Sequence, residues 1–482
     1  MMSVIKHPPL KHLLSIALCI TLLLPLSAWA ADPALDSPPA PVKPKKNYLY
    51  PLAEVFLING LIFSWNRYAV EAKWSYVDYD TINSNLVNGF GWDNDQFNYN
   101  QLYHPYQGGQ YHSAARYYGL NYWESMSYTA LGSLHWEYMM ENESPAINDF
   151  ITTTLSGSIF GEAIFRMARL ILDQSPESKK VLRELGIAMI NPTVGFNRLV
   201  AKDSFATRSD IASTYFAGDI ALGISNENVV DKHAVHYNFR WRTHYGDPFS
   251  TSRKNLPFDF FNFDLLIKRS EPAFAINGTI SGLLYKKPLK LFAKDKVFFG
   301  IFQNFDYYSN ALLELDELER SSTPIVDTER YEQLQDAAYK IGTTSIGAGL
   351  FFHNRFPGRV SLMTFLQMVA IPLGGANSTY AKEAGRTYNM GVGWGGKLYS
   401  RLFVGNYLQL FLSNHVFHIK SLSGGDGLEI VSITNAGAFI PLAYRLHLGI
   451  EWTSYLRYGH YDNLPDIRGN HRATQAFLSY NF

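Results

Sequence analysis

Two periods divide the chain. From about Tyr48 to Leu172, apolar runs punctuated by Gly and Pro follow a helical spacing, and an amphipathic, partly basic stretch continues to about Asp203. Beyond that point the period becomes two and stays two. Val235, Tyr237, Phe239, Trp241 and Tyr245 fall on one strand face, with His236, Asn238, Arg240, Arg242 and His244 on the other. Tyr444, Leu446, Leu448, Ile450 and Trp452 oppose Arg445, His447 and Glu451 in the same way; Leu408, Leu410 and Leu412 oppose Gln409, Ser413 and His415. A soluble sandwich turns such polar faces to water. A transmembrane barrel turns the aromatic face to lipid and the charged face to its lumen. Two Arg and two His on one short strand, opposite so many aromatics, favour the barrel.

The alternation predicts about twelve strands, near 210–222, 234–245, 257–267, 273–285, 296–307, 338–351, 359–370, 387–400, 404–418, 428–440, 443–457 and 472–482. An even count is what a single-chain bacterial barrel needs. With both barrel ends periplasmic, the long connections 308–337, 371–386 and 458–471 fall outside; the short ones near 401–403 and 440–442 fall inside. The expected fold is mainly β with an α-helical N-terminal domain: a 12-stranded antiparallel transmembrane β-barrel whose helices plug or cap the lumen.

Composition sharpens this. Aromatic residues make up 15% and charged residues 17%, below the quarter usual for a soluble surface. Forty-two basic residues balance 42 acidic ones, so no field draws nucleic acid. Lys6 and Lys11, the apolar Leu13 to Leu26 and Ala28-Trp29-Ala30 read as a secretory signal over 1–30. Cys19, the one cysteine, lies within it, so cysteine catalysis and cysteine-held metal are excluded from a processed chain. Five prolines and three lysines over 32–46 make a linker. The domains expected are 1–30 signal, 31–46 linker, 47–205 helical and 206–482 barrel. Export without a later apolar run of 18 residues leaves two locations, periplasm or outer membrane; the strand pattern selects the outer membrane. The helical domain is expected in the periplasm or the lumen. The closing Leu478, Tyr480 and Phe482 share a face and resemble a C-terminal signal for barrel assembly. The partners implied are outer-membrane lipid and the export and barrel-assembly machineries.

Polar residues crowd the helical segment 92–166. On an α-helix of 100° per residue, Asn148, Thr152, Leu155, Ile159, Glu162 and Arg166 share a face, while Gly157 and Gly161 form a small-residue stripe for close helix contact. Ser133, Glu137 and Glu141 stack at intervals of four, as do His112 and Arg116. A carboxylate buried among such apolar neighbours needs a partner or a raised pKa. Two readings stand. In one, Glu137, Asp149 and Glu162 pair with Arg116 and Arg166, His104 caps a turn, and the network fixes packing. In the other, His104, Glu137, Asp149 and Glu162 are catalytic candidates, and Asp95, Asn100, His112, Arg116, Glu141, Asn148 and Arg166 bind a ligand, with no metal or cofactor named.

These residues carry a resemblance. Asp-x-Phe-x-x-Asn, His-Pro-x-x-Gly, Ala-Arg-x-x-Gly, Gly-Ser-x-x-Trp-Glu, Pro-x-Asn-Asp and Gly-x-x-x-Gly-Glu-x-x-x-Arg follow one another over about 60–170. In that order they resemble the bacterial domain-of-unknown-function family 3943, which implies an envelope location and supplies no reaction. Ala146 stands where the pattern has Ser, which puts a hydroxyl role there in doubt. Elsewhere, Gly391 to Gly396 lie in strand sequence without the helix a nucleotide loop needs, and Ser413 with His415 lacks a third member for a barrel lipase. The favoured function is a closed barrel in envelope maintenance that binds lipid or cell-wall material. A membrane hydrolase using the buried carboxylates and His104 is the alternative, and a diffusion porin the second alternative.

Overall fold

The computed structural model describes residues 46–174, 180–201, 215–229, 232–249, 256–270, 273–290, 296–312, 339–378, 380–381 and 385–482. The expected signal, the expected linker up to residue 45 and most of the 313–339 connection lie outside the described residues. Two compact units share the chain, one holding 45–163 and 213–481, the other 164–212.

The β half of the first unit is a closed antiparallel barrel of 12 strands. They are β1 Phe216–Val229, β2 Lys232–Tyr245, β3 Phe261–Ser270, β4 Ala273–Leu289, β5 Lys296–Leu312, β6 Lys340–Phe356, β7 Val360–Asn377, β8 Tyr388–Val404, β9 Leu408–Ser423, β10 Gly427–Ala443, β11 Leu446–Tyr461 and β12 Ile467–Asn481. Each predicted strand is present in order, and β1 pairs with β12 from Asp219↔Asn481 onward, leaving no open edge. The connections at 405–407 and 444–445 on the rim that carries both barrel ends are tight. Arg445 occupies one of them with φ 62°, so it is a turn residue lying over Tyr444 and not the lumen residue its alternation suggested.

Alternation assigns the faces. Leu222, Ile224, Met368, Leu448, Ile450 and Leu478 point outward and are exposed. Asp219, Arg240, Arg242, Asp264, Asp306, Lys397, Glu429, Glu451 and Arg457 point inward and pair with one another: Lys397 Nζ lies 2.6 Å from Asp306, Arg457 Nε 3.0 Å from Glu429, Arg242 Nε 2.9 Å from Asp219, and Arg240 reaches both Asp264 and Glu451. Interleaved with them, Tyr308, Ile371, Phe417, Ile419, Val431 and Tyr455 make an apolar core inside the barrel. Phe298, Phe302, Phe351 and Phe365 make a second.

The helices of this unit are α1 Leu49–Trp65, α2 Tyr79–Asn88, α3 His104–Tyr117, α4 Tyr122–Met139 and α5 Ile147–Ile151, with π-helical turns at Asn66–Val70, Tyr99–Tyr103 and Thr152–Ser156. Asn121 caps α4, accepting from Trp123 and Glu124 N–H, while the Glu124 carboxylate accepts from Asn121 N–H. The last π turn runs into α6 Gly157–Gln174, which passes into the second unit. That unit also holds α7 Lys180–Ile190 and α8 Pro192–Ala201. Asn191 caps α8 by accepting from Val194 N–H at 3.1 Å, and Arg198 Nε reaches Glu184 of α7 at 2.5 Å.

The helices of the first unit meet the barrel on its outward face. Phe97 stacks on Tyr307 with centroids 5.4 Å apart, Tyr122 OH donates to Gln303 Oε1 at 2.6 Å, and Ser156 Oγ touches Thr344 Oγ1. Gln101 lies over Gly342, where any Cβ would sit 2.6 Å from its Oε1. Gln303, Tyr307, Gly342 and Thr344 all alternate with lumen residues such as Asp306 and Thr343, which bond each other at 3.0 Å. This corrects the expected plug. The lumen is filled by its own side chains, so there is no room in it for several helices, and the helices stand against the wall.

Candidate functional site

Hydrogen bonds gather the predicted polar residues into two groups. The first lies where the helical segment meets the β7–β8 connection. Asp93 Oδ1 accepts from Asn100 Nδ2 at 2.6 Å and Asn148 Nδ2 at 2.9 Å, and Asn148 Nδ2 also donates to Asp149 Oδ1 at 2.9 Å. The barrel contributes two groups: Arg386 donates to the Asp93 carbonyl, and Tyr388 OH bonds both Asn100 Nδ2 at 2.7 Å and the Asp95 carbonyl at 2.9 Å. The Asp95 side chain is exposed, so its main chain makes the connection.

Behind these lie two carboxyls, Glu137 on α4 and Glu141 just past its end. Glu137 Oε2 accepts from Ala146 N–H at 2.8 Å, and its other oxygen has no hydrogen-bond partner among the described residues. Glu141 accepts from the Trp136 indole at 2.6 Å. Burial, with Glu141 close by, pushes Glu137 well above the usual carboxylate range; burial beside Asp93 does the same to Asp149. Burial lifts Glu141 to about 8. His104, at the start of α3, lies 3.8 Å from Asp149 and 3.3 Å from Thr153 Oγ1. Burial holds it down at about 4, opposite in direction to the rise that burial imposes on Asp149 beside it. The expected pairing of Glu137 and Asp149 with arginines is therefore replaced by backbone and amide contacts.

The second group lies between α3 and α6. Glu162 Oε2 takes Arg116 Nε at 2.8 Å and His112 Nε2 at 3.0 Å, all three side chains being buried, and Arg116 also donates to the Leu120 carbonyl at 2.5 Å. Glycines bring these helices together. A Cβ on Gly157 would stand 2.7 Å from Gly108 Cα, and one on Gly161 2.6 Å from His112 Cβ. The expected Gly157/Gly161 stripe thus meets a second pair, Gly108 and Gly109, on α3.

Asn148 and Glu162, expected on one face, serve different groups. The π turn at Thr152–Ser156 adds a residue to the turn and rotates everything after it. Arg166 is buried on α6 in the second unit. Leu478 and Tyr480 point outward on β12, and Phe482 follows its end. Ser413 accepts from Asn435 at 3.2 Å while His415 lies 3.2 Å from Tyr308, so the two serve different partners. Among the described residues, no three His, Cys, Asp or Glu side chains are placed to hold a metal.

Residues 89–193 match the model of a domain of unknown function, DUF3943. The match begins and ends later than the 60–170 span of the motifs, and it contains both polar groups except Arg386 and Tyr388. Ala146 departs from the pattern without consequence for the contact seen there, because its N–H, not its side chain, serves Glu137. No curated protein matches the sequence. Solved structures similar to the chain include OmpT, an outer membrane protein of Vibrio cholerae (9% identity, 56% of this chain and 97% of that one, TM-score 0.25). Outer membrane phospholipase A from Escherichia coli (8%, 55% and 89%, TM-score 0.26) and the translocator domain of autotransporter NalP from Neisseria meningitidis (9%, 56% and 90%, TM-score 0.23) are also similar.

Asp93, Arg386 and Tyr388 were missed as site residues. Asp93 sat beside Asp95 in the quoted motif, and the amides that surround it are contributed by two later segments. Arg386 and Tyr388 lie at a strand start nearly three hundred residues away, with no local signal.

Proposed function

We propose that this protein is a non-conducting outer-membrane β-barrel whose DUF3943 segment binds lipid or cell-wall material in envelope maintenance. One observation carries the reading: side chains from opposite walls meet inside the barrel. Arg401 of β8 lies 3.4 Å from His244 of β2, six places away in a ring of 12, and the Tyr339 and His471 rings are 4.9 Å apart across the same distance. The cavity left between Arg240, Asp264, Lys397 and His415 is about 110 Å³, enough for a few waters. The outward apolar residues support a location in the outer membrane, with Leu478, Tyr480 and Phe482 presented to the assembly machinery; removing Phe482 is expected to lower the amount assembled.

Purified full-length protein in a planar bilayer is expected to show little steady conductance. Deleting 47–200 leaves it low, because the seal belongs to the wall. Large stable channels in the intact protein would restore the porin reading. A hydrolase remains the second reading, favoured by a buried His104 beside carboxyls whose pKa burial raises; E137Q that leaves the barrel assembled but abolishes the phenotype of a deletion would support it.

A further inference from the structure

Resting on the reading that the barrel spans the outer membrane, we infer that the helical segment of the first unit is itself in contact with lipid acyl chains, beside the barrel, through the outer face of α1 and α4. The occupant is the hydrocarbon of the same bilayer that surrounds the strands.

Three observations carry this. The first is the composition of the face. On α1, Leu49, Leu57, Leu61 and Trp65 are each about half exposed or more, and Trp123 and Leu131 continue the surface on α4. The one Asp, Glu, Lys, Arg or His of α1, Glu54, is turned inward and buried, and α4 carries no Asp, Glu, Lys or Arg between Glu124 and Glu137. Soluble proteins seldom expose so continuous an apolar patch.

The second is where charge returns. It returns at the two ends of α1. Lys46 pairs with Glu124 at 2.6 Å before the helix, and after it Arg67 covers the Tyr76 ring at 3.4 Å. The 17 residues between rise about 25 Å at 1.5 Å each, close to the roughly 25 Å apolar band of such barrels. No helix of the described residues is long and apolar enough to cross a membrane unaided; here α3 and α4 pack on the inner side of α1, through Asn59 and Tyr111 and the Gly132 carbonyl.

The third is continuity with the strand surface. Gln303, which Tyr122 of α4 contacts, pairs with Ile346, Ile346 with Ala370, and Ala370 with Trp394. Ile346 and Trp394 are exposed apolar residues of the outward wall. The helices therefore stand level with the lipid-facing rows. They cover a part of the wall, with its polar Gln303 and Thr344, that would otherwise face hydrocarbon.

Spin labels test this in the full chain, with C19S as background, reconstituted in phospholipid vesicles. Labels are placed singly at L57C and L61C, at I450C on the outward strand face, and at N463C in an exposed turn. Collision with oxygen over collision with a water-soluble nickel complex is expected to be high at 57 and 61, matching 450 and well above 463. A low ratio at 57 and 61 with a high one at 450 overturns the inference while leaving the barrel in the membrane. A low ratio at 450 as well sinks the outer-membrane reading itself. Labels at 57 and 61 shielded from both reagents would mean a second copy or another protein covers the face, and this too overturns it.

Discussion

Glu162 sits where a charge is hardest to place, and the chain surrounds it with a guanidinium, an imidazole and two helices. Removing one partner of a buried pair leaves the other stranded, at about 3 kcal/mol or more. E162A is therefore expected to lower the melting temperature of the helical segment clearly, while K46A, which breaks the exposed pair with Glu124 and leaves the α4 cap intact, changes it little. The buried carboxyls Glu137 of α4 and Asp149 of α5 make a different prediction. Glu137 and Asp149 have folded pKa values raised above their unfolded ones, so their contribution is complete at low pH and is lost as pH rises through the raised values. His104 is the opposite case: held at about 4 against an ordinary 6.5, it favours the fold above 6.5 and that contribution is lost as pH falls towards 4. Melting followed from acid to alkaline pH should show loss at both limbs. E137Q, which keeps an acceptor for Ala146 N–H, should lessen the loss seen as pH rises and leave the loss on acidification unchanged; an undiminished loss on the rising side would show that Glu137 is not raised in the fold. At this scale the sequence disclosed which residues were buried and polar, because charges in apolar helices are conspicuous. Their partners were legible in part: Glu162 has Arg116, one of the arginines expected, whereas amides and backbone serve Asp93, Asp149 and Glu137 through tertiary placement alone.

At the scale of elements, period-two alternation located all 12 strands because each wall has one apolar and one polar face, and a slip of one residue would reverse them. The helices were legible in existence but not in phase. A π turn leaves no mark in hydrophobic periodicity, and the one at Thr152–Ser156 sends Asn148 to Asp93 and Glu162 to Arg116. The glycine contact was half visible, since Gly157 and Gly161 are a recognisable stripe while Gly108 and Gly109 sit in a polar-looking helix. G157A forces α3 away from the π turn and is expected to destabilise by about 1–3 kcal/mol, as overpacking does. G60A, where nothing lies within 4 Å of the added methyl, serves as the control in the same melt and should show no loss.

For the whole molecule, sequence reasoning reached a barrel with helices before it and then put the helices in the wrong place. Nothing in the alternation says that Arg242 reaches the Phe439 ring at 4.7 Å, or that Phe302 and Phe365 meet at 4.6 Å, and these contacts fill the lumen first. A sealed barrel with helices on its wall is the central claim. Ser345 and Thr344 are neighbours on β6 that face opposite ways, Ser345 toward Asn304 within and Thr344 toward Ser156 without. The most direct measurement is therefore disulfide formation in C19S protein carrying S156C with either T344C or S345C, read as a mobility shift on non-reducing gels after assembly in membranes. The account predicts rapid, near-complete crosslinking for S156C/T344C and none for S156C/S345C; crosslinking of S345C in place of T344C would put the helices in the lumen and contradict it.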